Sequence, residues 1–452
     1  MILLKHKKEI LSIDNLFLQG KGGRFMDLIM NKIEKLLMPI ANRIGANRYL
    51  MALRDGMVAS MPMMMIGSII LVVAELPIDG YQAFMANTFG EGWKWFSDAA
   101  TSATIGLAAI FAIIGIANSL AVNRKKDTVM ASIIALSAYF TVLVQIEGGG
   151  FSVRDFGARG LFAAMIIAMI STEIYCFIVE KDITIKMPSS VPPAVSRSFE
   201  ALIPAAIVIP IFLLVRFVFA QTSFESLNNF ILNMLQTPLT GVTTTFWGIM
   251  LSAFLSHFLW FFGMHGASIV GAVFGPMLTV AGLENLEAFQ AGAPLPNIVT
   301  QQFNDIFQTF GGVGSTLALA FLMAFFCKSK QLKTLGRLAV VPGIFGINEP
   351  LVFGLPLVLN PFLAIPFFIT PLINLTLAYF ATSLGIIGTT TRVAVTWSMP
   401  PFLSGILGTN TLSAGILQVV AILISLLIYY PFIKSYDRKM VLEEQEALVN
   451  ED

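Results

Sequence analysis

Long apolar runs separated by short charged joints set the pattern of this chain. Several runs reach the roughly 17–25 residues that a helix needs to cross a bilayer. They predict spans over about 56–76 and 104–122, a third ending near Val144, and two more over about 160–179 and 201–220. Lys and Arg collect in alternate joints: the stretch holding Lys32, Lys35, Arg43, Arg48 and Arg54, then 123–127, then 180–200. The joints between them are acidic, or aromatic and Gly-rich, as in "GEGWKWFSD" at 90–98. The positive-inside bias then predicts a cytoplasmic N-terminus, with Trp93 and Trp95 at the outer interface.

The second half is less regular. Apolar runs over about 244–263 and 267–281 are split by a His-Gly break, and an acidic, polar stretch over 284–310 follows. A run over about 313–326 leads into the basic joint "KSKQLKTLGR", which parity predicts to be cytoplasmic. Then come "LAVVPGIFGINEPLVFGLPLVLNP" and "GIIGTTTRVAVTWSMPPFLSGILG", apolar yet full of Gly and Pro. Pro removes backbone donors and Gly weakens helix, so both are poor straight spans. Broken backbone at membrane depth is tolerated where it lines a cavity or is covered by protein. The run over 411–432 reads as the last ordinary span, and "KSYDRKMVLEEQEALVNED" as a solvated cytoplasmic tail. The expected fold is therefore an all-α polytopic membrane protein. It has about ten transmembrane helices with both ends inside, plus two re-entrant hairpins in the C-terminal half. The stretch around 225–236 reads as an amphipathic connector between halves, and the Pro-rich 180–200 joint as a linker or a docking surface.

Composition agrees with this picture: 56% of the 452 residues are hydrophobic and 12% are charged, against about 25% charged in a soluble protein. A net charge of +1 and the lack of a basic, aromatic-rich patch give no sign of a nucleic-acid partner. The two cysteines, Cys176 and Cys327, fall in apolar segments and read as small hydrophobes, with neither disulfide nor metal site nor cofactor expected. The first 25 residues resemble neither a folded segment nor a signal peptide. "KGGRFM" at 21–26 is what an AAGGAGG-type ribosome-binding sequence yields when translated, so Met26 or Met30 is the expected start and His6 is discounted.

Ionisable groups inside apolar segments are the best pointers to function, because a charge at bilayer centre costs about 2.5–3.5 kcal/mol by insertion scales. The candidates are His257, His265, Glu349 and Arg392, with Asn348, Asn360 and Asn374 beside them. In "SHFLWFFGMHG" a continuous helix would put His257, Trp260 and His265 on one face. His257 reads first as a packed histidine bonded to its neighbours and second as a ligand. His265 lies between Gly263 and Gly266, which let a ligand or another backbone come close. In "GINEP", Gly346 and Pro350 predict a turn with Asn348 and Glu349 at the tip of a broken hairpin. Glu349 then either pairs with Arg392 or accepts hydrogen bonds from a polyhydroxyl ligand. "TTTR" and Trp397 in the second broken segment supply donors and an aromatic plate. Carboxylate, amide, imidazole and indole together suit a carbohydrate.

The "GMHG" at 263–266, the "GINEP" at 346–350 and the "NRYLMALRDGM" before the first span resemble IIC components of the phosphoenolpyruvate-dependent sugar phosphotransferase system, in the lactose/cellobiose branch. The resemblance runs from about Met30 to about Lys439. It implies a homodimer whose N-terminal spans form the interface, and a C-terminal sugar-binding unit that moves as a rigid body across the bacterial cytoplasmic membrane. It implies that Glu349 and His265 contact the hydroxyl that is phosphorylated, and that Asn348, Trp260, Trp397, His257 and Arg392 are candidates for holding the sugar. It implies a phosphocysteine donor on a separate IIB subunit, with a separate IIA upstream. A β-linked disaccharide is expected, diacetylchitobiose or cellobiose ahead of lactose. The corresponding division is 1–29 leader, 30–225 scaffold, 226–436 transport unit and 437–452 tail. Two rival readings remain at this point. A proton-coupled sugar transporter would use Glu349 and the histidines as proton carriers. An intramembrane enzyme would need a nucleophile–base pair or metal triad, and none is visible.

Overall fold

The computed structural model of the chain describes residues 43, 46–74, 80–146, 149–188, 190–355, 357, 360, 362–390, 395 and 398–451. The expected leader with His6, Met26 and Met30 lies outside these residues, as do Arg392 and Trp397. For Glu349 the backbone is described and the side chain is not.

The described residues are almost wholly helical, with one isolated bridge between Gln145 and Phe151. In the first half the helices are α1 Arg48–Ala74, α2 Tyr81–Phe89, α3 Trp95–Ala103, α4 Ala108–Asn123, α5 Thr128–Val142, α6 Leu161–Glu180, α7 Pro193–Glu200 and α8 Leu202–Ala220. The second half holds α9 Leu227–Ile231, α10 Thr237–Thr243, α11 Phe246–Phe261, α12 Gly266–Gln290, α13 Gln301–Phe307, α14 Leu317–Phe326, α15 Lys330–Ile344, α16 Glu349–Gly354, α17 Ala364–Ser383, α18 Leu403–Thr409 and α19 Leu412–Glu451. Among the described residues six helices are long and apolar enough to cross a membrane, or seven if the pair 227–243 and 246–261, bent by 75°, counts as one span. Two shorter apolar helices, α5 and α14, add to them.

The sequence explains the tight packing of the first half. α4 buries Ala108, Ala109, Ala112, Ala117 and Ala121 together with Ile113, Ile116 and Leu120. Small side chains let backbones approach closely, which is how membrane helices gain contact without a hydrophobic drive. Where α1 crosses α4, a methyl on Gly115 would lie 2.8 Å from the Gly56 Cα. At one end the helices are tied by charge: Glu173 pairs with Arg48 and Arg124, each at 3.3 Å, and Arg124 reaches Glu180 at 2.8 Å. Asp127 caps α5 by accepting from the Met130 N–H at 2.8 Å and also pairs with Arg197 of α7. The two tryptophans of the aromatic joint have different surroundings. Trp93 is buried between Tyr81 and Phe96, whereas Trp95 is 71% exposed.

α12 belongs to both halves. Its Met277, Val280, Leu283 and Leu286 join the core built by α4, α5 and α6, while Leu278 joins the core of α11, α13 and α17. It also runs through Glu284 and Glu287 to Gln290, so part of the stretch read as a polar joint is helix. The charged C-terminal segment is likewise no loose tail. α19 continues unbroken through it, and Asp437 is buried against the α14–α15 connection, its carboxylate accepting from the Lys328 and Ser329 N–H groups at 2.9–3.0 Å.

Candidate functional site

The site region is organised around a Gly-rich turn, "FGGVGST" at 310–316, that joins α13 to α14. Gly311, Gly312 and Gly314 all have positive φ, and Ser315 has φ 56°. Partners from distant elements hold the turn. The Tyr429 hydroxyl of α19 donates to the Gly314 carbonyl at 2.6 Å, and Asn374 of α17 donates to the Ser315 hydroxyl at 2.8 Å. Thr316 closes the turn on itself by donating to the Gly311 carbonyl at 2.6 Å.

One sequence motif docks onto this turn and the other is tied to it through shared apolar packing. From "GINEP", the buried Asn348 amide donates to the Val313 carbonyl at 2.9 Å and to the Thr316 hydroxyl at 3.0 Å. Gly312 faces that amide: a Cβ there would sit 2.5 Å from Asn348 Cγ. Asn348 therefore spends its donors on the protein, and the backbone of Glu349 begins α16 directly after it. From the "GMHG" side, Trp260 packs against the same two apolar clusters as Val313.

The chain breaks between α11 and α12, where Gly263 takes φ 78°. His257, Trp260 and His265 are therefore not on one continuous helical face, and the break assigns them different surroundings. His257 is 2% exposed and accordingly not open to a ligand in this conformation. Its Nδ1 lies 2.8 Å from the Ala253 carbonyl, and its ring meets Phe367 edge-on. The packed-histidine alternative describes it. His265 is exposed and forms the N-cap of α12, with Nδ1 accepting from the Ser268 N–H at 3.2 Å and lying 2.8 Å from the Ser268 hydroxyl. An imidazole nitrogen that accepts has its lone pair committed, so in the neutral ring the N–H sits on Nε2 and is available to donate. The Trp260 ring lies 4.6 Å from the His265 ring, centroid to centroid. Trp260 and His265 thus set a hydrogen-bond donor beside an aromatic face.

A small cleft opens where the two broken segments meet. Its walls are Asp305, Ile306, Thr309, Phe310 and Gly311 on one side, Ile344 and Gly346 at the foot of "GINEP", and Met399, Pro401 and Ser404 from the second segment. Asp305 accepts from Gln301 at 2.8 Å. It is a carboxylate that the sequence reading passed over as part of a polar stretch. The available signal was "NDIF" at 304–307, two residues before the Gly-rich turn. Gln418 of α19, fully buried, fastens two walls of this cleft. Its amide donates to the Ile306 carbonyl at 2.7 Å and to the Ser404 hydroxyl at 2.9 Å, while its oxygen accepts from the Phe402 and Gly405 N–H groups at 2.7 and 2.9 Å. No group of three or more potential metal ligands occurs among the described residues.

This architecture, broken segments folded around a polar cleft in an apolar helical protein, is that of a membrane transport subunit. The family model "Phosphotransferase system, EIIC" matches residues 54–371, and the chain belongs to that family. It is 43% identical over 435 residues to the lichenan permease IIC component of Bacillus subtilis (strain 168), covering 92% of this chain and 96% of that one. It is 42% identical over 436 residues to the cellobiose-specific EIIC component of Geobacillus stearothermophilus, covering 93% and 97%. The crystal structure of the transporter ChbC, the IIC component from the N,N'-diacetylchitobiose-specific phosphotransferase system, superposes with a TM-score of 0.88 at 42% identity, covering 91% of this chain and 99% of that one. The protein is a multi-pass membrane component of a bacterial sugar phosphotransferase permease.

Proposed function

We propose that this chain binds a β-linked disaccharide, diacetylchitobiose or cellobiose ahead of lactose, and carries it across the cytoplasmic membrane for phosphorylation by a separate IIB subunit. IIB is charged in turn by a separate IIA. Relatives bearing the names of lichenan, cellobiose and diacetylchitobiose systems support the β-linked class. The observation that carries the reading is the docking of "GINEP" on the 310–316 turn beside the Asp305 cleft, with Trp260, which bears His265 against its ring, sharing two apolar clusters with Val313 of that turn.

In this reading the His265 Nε2–H donates to the sugar hydroxyl that will be phosphorylated. Glu349 orients that hydroxyl and accepts its proton as the new phosphorus–oxygen bond forms. The phosphoryl group comes from the IIB phosphocysteine, and the subunit supplies positioning and electrostatics. Trp260 and Trp397 stack on sugar faces, and Arg392 and Asn348 complete the surround. The scaffold is 30–225 and the transport unit 226–436, with the tail at 437–452. Two copies associate through the scaffold, both termini are cytoplasmic, and ten spans with two re-entrant hairpins make up the fold. Two apolar cores drawn wholly from 226–436 support that division, while α12 ties the transport unit into the scaffold core.

The test is sugar phosphate production by purified protein with phosphorylated IIB supplied. Glu349→Gln is expected to abolish it and to weaken sugar binding. A mutant with wild-type turnover would overturn the assignment.

A further inference from the structure

The connection from α14 to α15, the first half of α15 and the matching stretch of α19 carry six cations that make no ion pair among the described residues: Lys328, Lys330, Lys333, Arg337, Lys434 and Arg438. The seventh, Lys439, pairs with Glu443 at 3.5 Å. Acids are present, but they are committed elsewhere. Asp437 accepts from the Lys328 and Ser329 N–H groups. Glu444 accepts from the Ser329 hydroxyl at 2.6 Å and from the Gln331 and Lys330 N–H groups at 3.0 and 3.2 Å. Both carboxylates thus satisfy the open N-terminus of α15, where orphan N–H groups and the helix dipole favour negative charge. The same bonds bring α19 against the start of α15, so Asp437, with Lys434 and Arg438 within one turn of it, adjoins Lys328 and Ser329.

Resting on the function proposed above, the geometry points to this cationic patch as the surface that receives the phosphorylated IIB subunit. Distance supports it. α15 leads from the patch to the turn before Glu349, and its 15 residues span about 22 Å at 1.5 Å per residue. A compact partner of about 100 residues has a radius of gyration of about 13 Å, so a IIB seated on the patch has its edge at the mouth of the "GINEP" turn. Charge supports it too, because a phosphocysteine brings a near-dianionic group and opposite charges raise association rates by about 10–10³. Anionic lipid fits less well. Lys330, Lys333 and Arg337 share one face of α15 and climb about 10 Å along it, whereas the headgroup layer on each side is about 5–8 Å thick.

The test uses the full chain in nanodiscs of zwitterionic lipid, with the phosphorylated IIB subunit of a cellobiose-specific system, and reads sugar phosphate formation against IIB concentration. Lys330→Gln/Lys333→Gln/Arg337→Gln is expected to raise the KM for IIB at least tenfold and to flatten its salt dependence, with sugar affinity and saturated turnover unchanged. On the wild type, IIB is expected to protect Lys328, Lys330 and Lys434 from amine-reactive label, which needs no variant to fold. An unchanged KM, or labelling that IIB leaves untouched, overturns the docking assignment. So does loss of co-purifying anionic lipid with the KM unchanged, which makes the patch a lipid contact. Wild-type protein that forms no sugar phosphate refutes the functional reading itself, a result separable from failure of the patch alone.

Discussion

Replacing Gln418 by Leu tests whether the cleft is held by the hydrogen bonds described. The side chain is fully buried and its volume is nearly conserved, so the change removes polarity more than bulk. It orphans the Ile306 carbonyl and the Phe402 and Gly405 N–H groups. An unsatisfied buried backbone group costs about 1–3 kcal/mol, so the sum is about 3 kcal/mol at the low end. If the 402–405 segment swings away to relieve half of that, sugar affinity falls about tenfold, since 1.4 kcal/mol is a decade. The assays are the thermal midpoint in detergent at one fixed heating rate, because unfolding of such proteins is seldom reversible, and titration calorimetry with cellobiose and diacetylchitobiose. A Leu variant with wild-type midpoint and wild-type sugar affinity would refute the claim that Gln418 braces the site.

Three further outcomes follow from the same geometry. Gly312→Ala places a methyl 2.5 Å from Asn348 Cγ at φ 81°; the left-handed backbone alone costs about 1–2 kcal/mol, so a lower thermal midpoint and weaker sugar binding are expected, and an unaffected protein would disprove the tight Asn348–Gly312 fit. Trp260→Ala should raise the sugar dissociation constant about tenfold, the upper part of the range for a lost ring contact, with saturated turnover preserved; loss of turnover without loss of affinity would contradict a stacking role. His257→Phe should leave sugar affinity within about threefold, since burial of His257 removes it from the ligand, while a loss worth a full bidentate contact, about 2 kcal/mol, would return it to the site.

Hydropathy made the straight spans legible because a membrane helix must be apolar along its length. The limits of α4, α6 and α8 fall within a few residues of those expected. Helix breaks were legible where Gly and a polar residue coincide, as at Gly263–His265. What followed the break was not, because the turn at Gly263 redirects the chain and separates His257 from His265. The 310–316 turn escaped notice for another reason: its partners Asn348, Asn374 and Tyr429 come from elements that sequence spacing does not relate to it. Asp305 was hidden by its polar neighbours, which made an ordinary loop the simpler reading. The continuation of α19 had a signal in its Lys, Glu, Leu and Ala content, all strong helix formers. Charge alone reads there as a solvated tail.

The dual membership of α12 constrains how this protein can work. One end of the rod is capped by the exposed His265, while the stretch beyond its middle is embedded by Met277, Val280, Leu283 and Leu286 among the scaffold helices. No relative displacement of the two cores leaves both ends undisturbed. The slack has to be found along the rod, and Pro276, which lacks an amide proton and interrupts the ladder at mid-length, is the natural knee.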